Sequence, residues 1–218
     1  MRYGPTTVTL KPFGGRRMLD VGCGAGYHMA DMRNLGWDVY GVDFNCQAVE
    51  AANAALGDKR VWLGTLSDVP ESVADLDLVT MHHLLEHVPN PRETLQETHR
   101  RLHPQGRIHV IVPNIASREA LIFGRYWVPV DAPRHLNHFT ESSLSSILYE
   151  SGFEVQRIRP QFLPWMIRAS FNRAVDLGLG PRWKWLKWIV YPAHLAVSPL
   201  SYLAGNIGVL DVLATKRP

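Results

Sequence analysis

Two aspartates bracket a glycine-rich turn. Leu19-Asp-Val-Gly-Cys-Gly-Ala-Gly26 ends one short apolar run, and Asp43 closes the next. Glycines at a strand-to-helix turn allow close packing in any fold, so Gly22, Gly24 and Gly26 alone say little. The flanking residues say more. A dinucleotide fingerprint wants a small residue at position 27, where this chain has Tyr27. Asp20 beside the loop would repel a pyrophosphate and attract an ammonium. A ligand with an amino-acid end, a positive centre and a ribose meets all three demands. Its carboxylate would face the free N–H groups of the helix start, its ammonium would be drawn toward Asp20, and its ribose hydroxyls would bond to Asp43. S-adenosylmethionine has those parts, and a tight turn with no ligand is the plain alternative.

The second group of reactive side chains is histidine-rich. His83-Leu-Leu-Glu86-His87 matches the H-x-x-E-H signature of inverted zinc proteases. That signature needs a long helix and a distant third ligand, whereas here it follows a strand directly and Pro89 interrupts the chain. Glu86 and His87 could instead bond to nearby backbone and shape the turn. His135 and His138 stand on a long connection expected to cover the mouth of the site. Histidine is the common general base near neutral pH, able to take a proton from a hydroxyl substrate. His135, His83, His87 and His138 are therefore the catalytic candidates. An exposed loop histidine is the alternative, and it fits His138 better than His135.

Alternating elements would position these groups. Arg17–Gly22 reads as a buried strand, Ala25–Leu35 as a helix stopped by Gly36, and Trp37–Asp43 as a strand. Asn45 caps a helix over Cys46–Leu56 that Gly57 ends. Strands follow at Arg60–Gly64 and Leu76–Met81. Asn90-Pro91 opens a helix with Leu95, His99 and Leu102 on one face, which Pro104 and Gly106 end. Arg107–Val112 is a strand. Thr140 caps a helix with Leu144, Ile147 and Leu148 inward, Gly152 closes it, and Phe153–Ile158 is a strand. Such alternation implies an α/β domain with a largely parallel sheet, helices on both faces and ligands beyond the carboxyl ends of the strands.

Two stretches break the pattern. Residues 113–137 form a long connection, either a lid or a binding loop. Residues 161–207 read as a Trp-rich helical insertion before a last strand at Gly208–Ala214. Within it Ile167, Phe171 and Ala174 make one apolar stripe and Trp185, Trp188 and Ile189 another. Arg168, Arg173, Arg182, Lys184 and Lys187 outnumber Asp176. This pattern suits a cap over the acceptor pocket, contact with a second subunit, or a helix lying in a membrane interface. Pro192, Pro199, His194 and Asn206 argue against a membrane span.

The 218 residues suit a single domain, with 46% hydrophobic and 20% charged residues and a net charge of +3. So mild a surplus demands no anionic partner, and no nucleic-acid recognition module is visible. Cys23 and Cys46 cannot make a disulfide framework, and residues 1–17 hold no secretory apolar run, so a cytoplasmic protein is expected.

The ordered set of motifs resembles the class I S-adenosylmethionine-dependent methyltransferases, in particular the small-molecule group that includes the ubiquinone-pathway O-methyltransferase. Leu19–Gly26 is similar to that family's first motif, Gly41-Val-Asp43 to its second, and Leu76–Pro91 to its fourth. Leu102–Arg107 and Asp131–Thr140 are similar too. The resemblance implies a Rossmann-like seven-stranded sheet whose last strand runs antiparallel. It implies that Gly22, Cys23, Gly24 and Gly26 shape the methionine pocket, that Asp43 holds the ribose with Phe44 against the adenine, and that Met81 and His82 sit beside the sulfonium. Where the family often has an acid for the adenine amino group this chain has Thr65, so Thr65 and Leu66 would line the adenine through their backbone. The group's Glu-x-x-Glu-His looks like a divalent-cation site. Here His83 replaces the first Glu, which disfavours a hard cation and leaves His83, Glu86 and His87 as weak ligand candidates. The expected function is methylation of a hydroxyl, or of a nitrogen or carbon, on a hydrophobic small molecule. The competing readings are a catalytically silent cofactor-binding subunit and an NAD-dependent oxidoreductase, the latter opposed by Tyr27 and Asp20.

Overall fold

β1 (Arg17–Val21) is buried on both faces, as a central strand of a parallel sheet must be. The computed structural model describes residues 15–161, 163–180, 185, 188–189, 192 and 208–217. After β1 come α1 (Tyr27–Asn34), β2 (Asp38–Asp43), α2 (Cys46–Leu56), β3 (Val61–Leu63), β4 (Leu76–His82) and α3 (Pro91–Arg101). β5 (Leu102–Pro113), α4 (Arg118–Phe123), α5 (Glu141–Glu150), β6 (Phe153–Gln161), α6 (Pro164–Ala174) and β7 (Val209–Lys216) complete the order. The seven strands lie in the order β3-β2-β1-β4-β5-β7-β6, and only β7 runs antiparallel to its neighbours.

Connections leave β1 in one direction along the sheet and β4 in the other. That reversal opens a crevice above the carboxyl ends of β1 and β4, where such sheets bind ligands. One face carries the main core, with Leu19, Val21, Val79, Met81, Val110 and Val212 under Leu95, Leu144 and Leu148. The other face carries two smaller apolar clusters. One joins Met18 and Leu78 to Met29, Met32 and Trp37, and the other joins Ile111 and Val209 to Ala120, Trp127 and Met166.

The caps follow local chemistry. Asn45 accepts a bond from the Ala48 amide, Asn90 from Glu93 and Thr140 from Ser143. Two boundaries differ from the sequence expectation. α1 begins at Tyr27 rather than Ala25, because Gly26 stands in the left-handed region at φ 76°. α3 ends at Arg101, and Pro104 and Gly106 belong to β5, since Leu102 already pairs with Leu76. The inward row of α3 is thus Leu95 and Thr98, while His99 packs its ring 5.5 Å from that of Phe153.

The connection 113–137 is not a bare loop. It holds α4 and a short 3₁₀ turn, Gly124–Tyr126, and α6 clamps it. Val128 N–H donates to Ser170 Oγ at 2.9 Å, and Arg173 Nη1 donates to the Val128 and Val130 carbonyls at 3.3 Å each. α6 buries Met166, Ile167, Phe171 and Ala174, the apolar stripe read from the sequence. Of the second stripe, Trp185, Trp188 and Ile189 are exposed, and Arg182, Lys184, Lys187 and Tyr191 lie outside the described residues.

Candidate functional site

The turn after β1 is held from below by β2. The Gly22 and Cys23 amides donate to the Val42 carbonyl at 2.8 and 3.2 Å. Asp43 Oδ2 accepts from the Gly24 amide at 2.8 Å, and Oδ1 accepts from Asn45 at 2.9 Å. One carboxylate therefore ties the glycine loop to the start of α2, with lone pairs left over for two hydroxyls. A side chain at Gly26 would bring its Cβ to 3.0 Å from Ala52 Cβ, so this glycine lets α1 close on α2. Gly24, at φ 53°, has nothing within 4 Å of its would-be Cβ and leaves a cradle open to a ligand. Gly22 presses the loop against Leu84 beyond β4.

No side chain caps the start of α1, so its first amides are available to a carboxylate. Two residues past Gly26, both ring nitrogens of His28 are buried without a hydrogen-bond partner. Orphaned polar atoms beside an open cradle are what a bound amino-acid end would satisfy. His28 is absent from the sequence candidates, although its place just past the loop was a signal. Asp20 lies beneath α1 and accepts from Thr80 Oγ1 at 2.6 Å. Burial pushes its carboxyl up, against the opposing pull of His28 and the Thr80 bond. Its charge thus acts on a ligand through the field and not by open contact.

The other cofactor candidates divide. Phe44 is 76% exposed, free to lie against a base. Thr65 binds Asp68 through both its amide and its hydroxyl, at 2.7 and 3.0 Å. Packing draws the side chains of three of the expected cofactor-lining residues into the interior, in keeping with the backbone role expected of Leu66. Leu66 and Met81 belong to the main core, and Cys23 is buried beside Met29. These residues can offer a ligand only backbone. Burial, then Asp20 and Asp43, also push the Cys23 thiol far up, so it stays protonated. His82 keeps its place at the carboxyl end of β4, with its ring centroid 4.6 Å from that of His28.

Beyond β4 the chain turns sharply, with His83 in the left-handed region at φ 53°, an unusual conformation for a non-glycine residue. The turn buries Glu86 to 1% exposure, and neither carboxylate oxygen has a hydrogen-bond partner. The connection 113–137 brings in His135: the Leu136 and Asn137 amides donate to the Glu86 carbonyl at 2.8 and 3.0 Å. The rings of His87 and His135 meet edge-on at 4.5 Å. His87 Nδ1 lies 3.0 Å from the Arg134 carbonyl and His135 Nδ1 2.7 Å from the Pro129 carbonyl. A carbonyl only accepts, so both rings carry a proton on Nδ1, and a neutral ring then has its lone pair on Nε2. Glu86, His87 and His135 can bring one ligand atom each within 4.8 Å of one another. Two imidazoles fixed by backbone carbonyls and an orphaned carboxylate fit a divalent cation of the Zn, Fe or Mn kind. This set revises the sequence candidates. His135 is the third member, and His83, with Nδ1 3.4 Å from Glu86 Oε1, stands outside it. His138 is exposed.

Residues 5–158 match the methyltransferase-domain family. The chain belongs to that family. S-adenosylmethionine is its cofactor, in keeping with the open cradle at Gly24 and the clamped Asp43. Curated relatives include the ubiquinone biosynthesis O-methyltransferases of Paracidovorax citrulli, 32% identical over 61% of this chain and 59% of the relative, and of Xanthomonas oryzae, 26% identical over 75% and 73%. The chain spans about half to two thirds of the length of several curated relatives, at 47%, 59% and 63%. Among solved structures, a SAM-dependent methyltransferase from Archaeoglobus fulgidus superposes with a TM-score of 0.61 at 21% identity, covering 93% of this chain and 87% of that one. One from Methanosarcina mazei gives 0.61 at 18% identity, covering 95% and 99%. These likenesses carry the fold, and nothing in them supports the oxidoreductase or the silent subunit.

Proposed function

We propose that this methyltransferase domain methylates a hydroxyl on a hydrophobic small molecule. The carrying observation is that Glu86, buried and without a hydrogen-bond partner on its carboxylate, meets His87 and His135 so that one ligand atom of each lies within 4.8 Å of the others. A hydroxyl acceptor needs a group that takes or weakens its proton, and these side chains can do either. The names of the ubiquinone-pathway relatives favour oxygen as the acceptor atom. Partly buried Ile115, Phe123, Val130 and Leu163, which pack against the cluster of Ile111, Trp127 and Met166 under the connection that carries His135, favour a hydrophobic body.

Bound at the glycine loop, S-adenosylmethionine would supply an electrophilic methyl carbon. The chain's own work is to orient the acceptor in line, exclude water and manage the proton. In this reading His135 Nε2 would accept that proton, and the carboxylate of nearby Glu86 would stabilise the imidazolium. Burial, more than the opposing charge of Glu86, lowers the His135 pKa from its ordinary value near 6.5. The neutral, basic ring therefore persists below that pH, and the acid limb of the kcat profile is expected below 6.5. A second reading has Glu86, His87 and His135 hold a cation that would weaken the O–H bond. Turnover of alkylcatechols and alkylphenols tests the function. His135→Ala should lower kcat roughly 100-fold or more with cofactor affinity kept. Full activity after exhaustive chelation removes the cation reading, and a few-fold loss in His135→Ala removes the base.

Peripheral lipid contact belongs to the same proposal. Trp165, Leu177, Trp185 and Trp188 are exposed by 50%, 70%, 54% and 75%. No helix among the described residues is long and apolar enough to cross a membrane. Flotation with anionic vesicles that fades with salt is the expected result, and no flotation at low salt refutes it.

A further inference from the structure

The sheet face beneath α1 and α6 carries a polar seam that the proposed reaction leaves unused. Asp20, Thr80 and His109 stand side by side in register on β1, β4 and β5, with Asp211 near them on β7. All four are at most 3% exposed. They separate the apolar cluster of Met18 and Leu78 from that of Ile111 and Val209. Apolar residues at 109 and 211 would merge those clusters, so burying an imidazole and a carboxylate there is costly unless they are paired.

They are paired, and the pairing leads to the crevice. His82 Nε2 lies 3.0 Å from His109 Nδ1, and His109 Nε2 lies 2.8 Å from Asp211 Oδ1. Asp211 Oδ2 accepts from Gln161 Nε2 at 2.8 Å, and Arg157 Nη2 stands 3.9 Å from Oδ1. Burial alone would raise the Asp211 carboxyl, but the hydrogen bond from His109, with that of Gln161 and the nearby Arg157, holds it below its usual value. An ionised carboxylate only accepts, so His109 carries its proton on Nε2. A neutral His109 then has a bare Nδ1 that accepts from His82 Nε2–H, and a neutral His82 is left with a bare Nδ1. Burial above all holds the His82 pKa well below its ordinary value and keeps the ring uncharged. No described residue hydrogen-bonds to that Nδ1. His28 from α1, His83 and, beneath them, Asp20 are the other titratable groups around the ring.

We propose that Asp211 and His109 lock His82 in its Nε2–H tautomer, so that His82 Nδ1 accepts the hydroxyl proton of the methyl acceptor. Asp211 and His109 are positioning residues; His82 is the group that meets the substrate. The step rests on the methyl-transfer reading above and gives to His82 the proton that the base reading gives to His135; turnover in His82→Gln separates the two. The O–H bond breaks and the proton forms an N–H bond at Nδ1. The oxygen pair forms the O–CH₃ bond while the C–S pair stays on sulfur. The imidazolium left behind faces Asp211 through His109, and Asp211 stays ionised, the arrangement known from hydrolase triads.

The test uses the full chain with ¹⁵N-labelled histidine. Long-range ¹H–¹⁵N spectra at pH 7.5 should show His82 and His109 as neutral Nε2–H tautomers. Asp211→Asn, which can offer an N–H in place of a carboxylate, should move both protons to Nδ1. With a 4-alkylcatechol as acceptor, Asp211→Asn and His82→Gln should each lower kcat at least about 100-fold. S-adenosylmethionine affinity should stay within about 2-fold in the Asp211 variant. An Nδ1–H His82 in the unaltered protein overturns the lock, and that spectrum requires no variant to fold. An intact lock with wild-type turnover in His82→Gln overturns the proton role. An intact lock in a wild-type chain that methylates no catechol or phenol fails the methyl-transfer reading and with it the proton role, leaving the tautomer assignment standing.

Discussion

Asp43 has a structural use beside the one its position suggests. Its place at the end of β2 points to ribose, and its oxygens also hold the Gly24 and Asn45 amides. Asp43→Ala should weaken S-adenosylmethionine binding by about 1–3 kcal/mol, through the lost hydroxyl acceptor and through a slackened loop. Calorimetry measures this directly, and unchanged affinity would remove Asp43 from the cofactor site. The same double use appears at His87 and His135, where a backbone carbonyl on one nitrogen decides what the other can do.

At the scale of elements, α3 is fastened by a buried charge. Arg101 is 3% exposed and donates to the Val69, Pro70 and Val73 carbonyls at 3.1–3.3 Å and to Glu97 Oε1 at 2.6 Å. This anchor draws the chain before β4 onto the end of α3 and explains why the helix stops there. Arg101→Met would leave buried carbonyls unpaired and should cost about 2–3 kcal/mol in urea unfolding, with cofactor affinity unchanged in the folded fraction. A loss below about 0.5 kcal/mol would show that water satisfies those carbonyls.

Across the whole molecule, the connection carrying His135 is positioned from two sides. Glu86 holds it at Leu136 and Asn137, and α6 holds it at Val128 and Val130. α6 therefore acts on the segment that carries His135 through this clamp. Arg173→Met should lower kcat roughly 10-fold by loosening His135, while the glycine loop keeps its affinity for S-adenosylmethionine. Equal losses of kcat and cofactor affinity would mean that α6 supports the whole domain instead.

The chain alone determined most of the architecture. Alternating apolar runs, Asn45, Asn90 and Thr140 as caps, and the glycine loop with Asp43 are local signals, and local hydrogen bonding and periodicity enforce them. The antiparallel β7 came with the family resemblance and is what the sheet shows. What tertiary structure decided involves residues far apart in the chain. Nothing in the spacing of His82, His109 and Asp211 foretells that β4, β5 and β7 lie side by side and turn three strand residues into one hydrogen-bonded chain. His135 joins Glu86 while His138 faces solvent because the pairing of Leu136 and Asn137 with the Glu86 carbonyl sets the orientation of that segment. Met81, Leu66 and Cys23 point inward because a strand or turn beside a ligand must also fill the core, and which side chain does so depends on the packed neighbours.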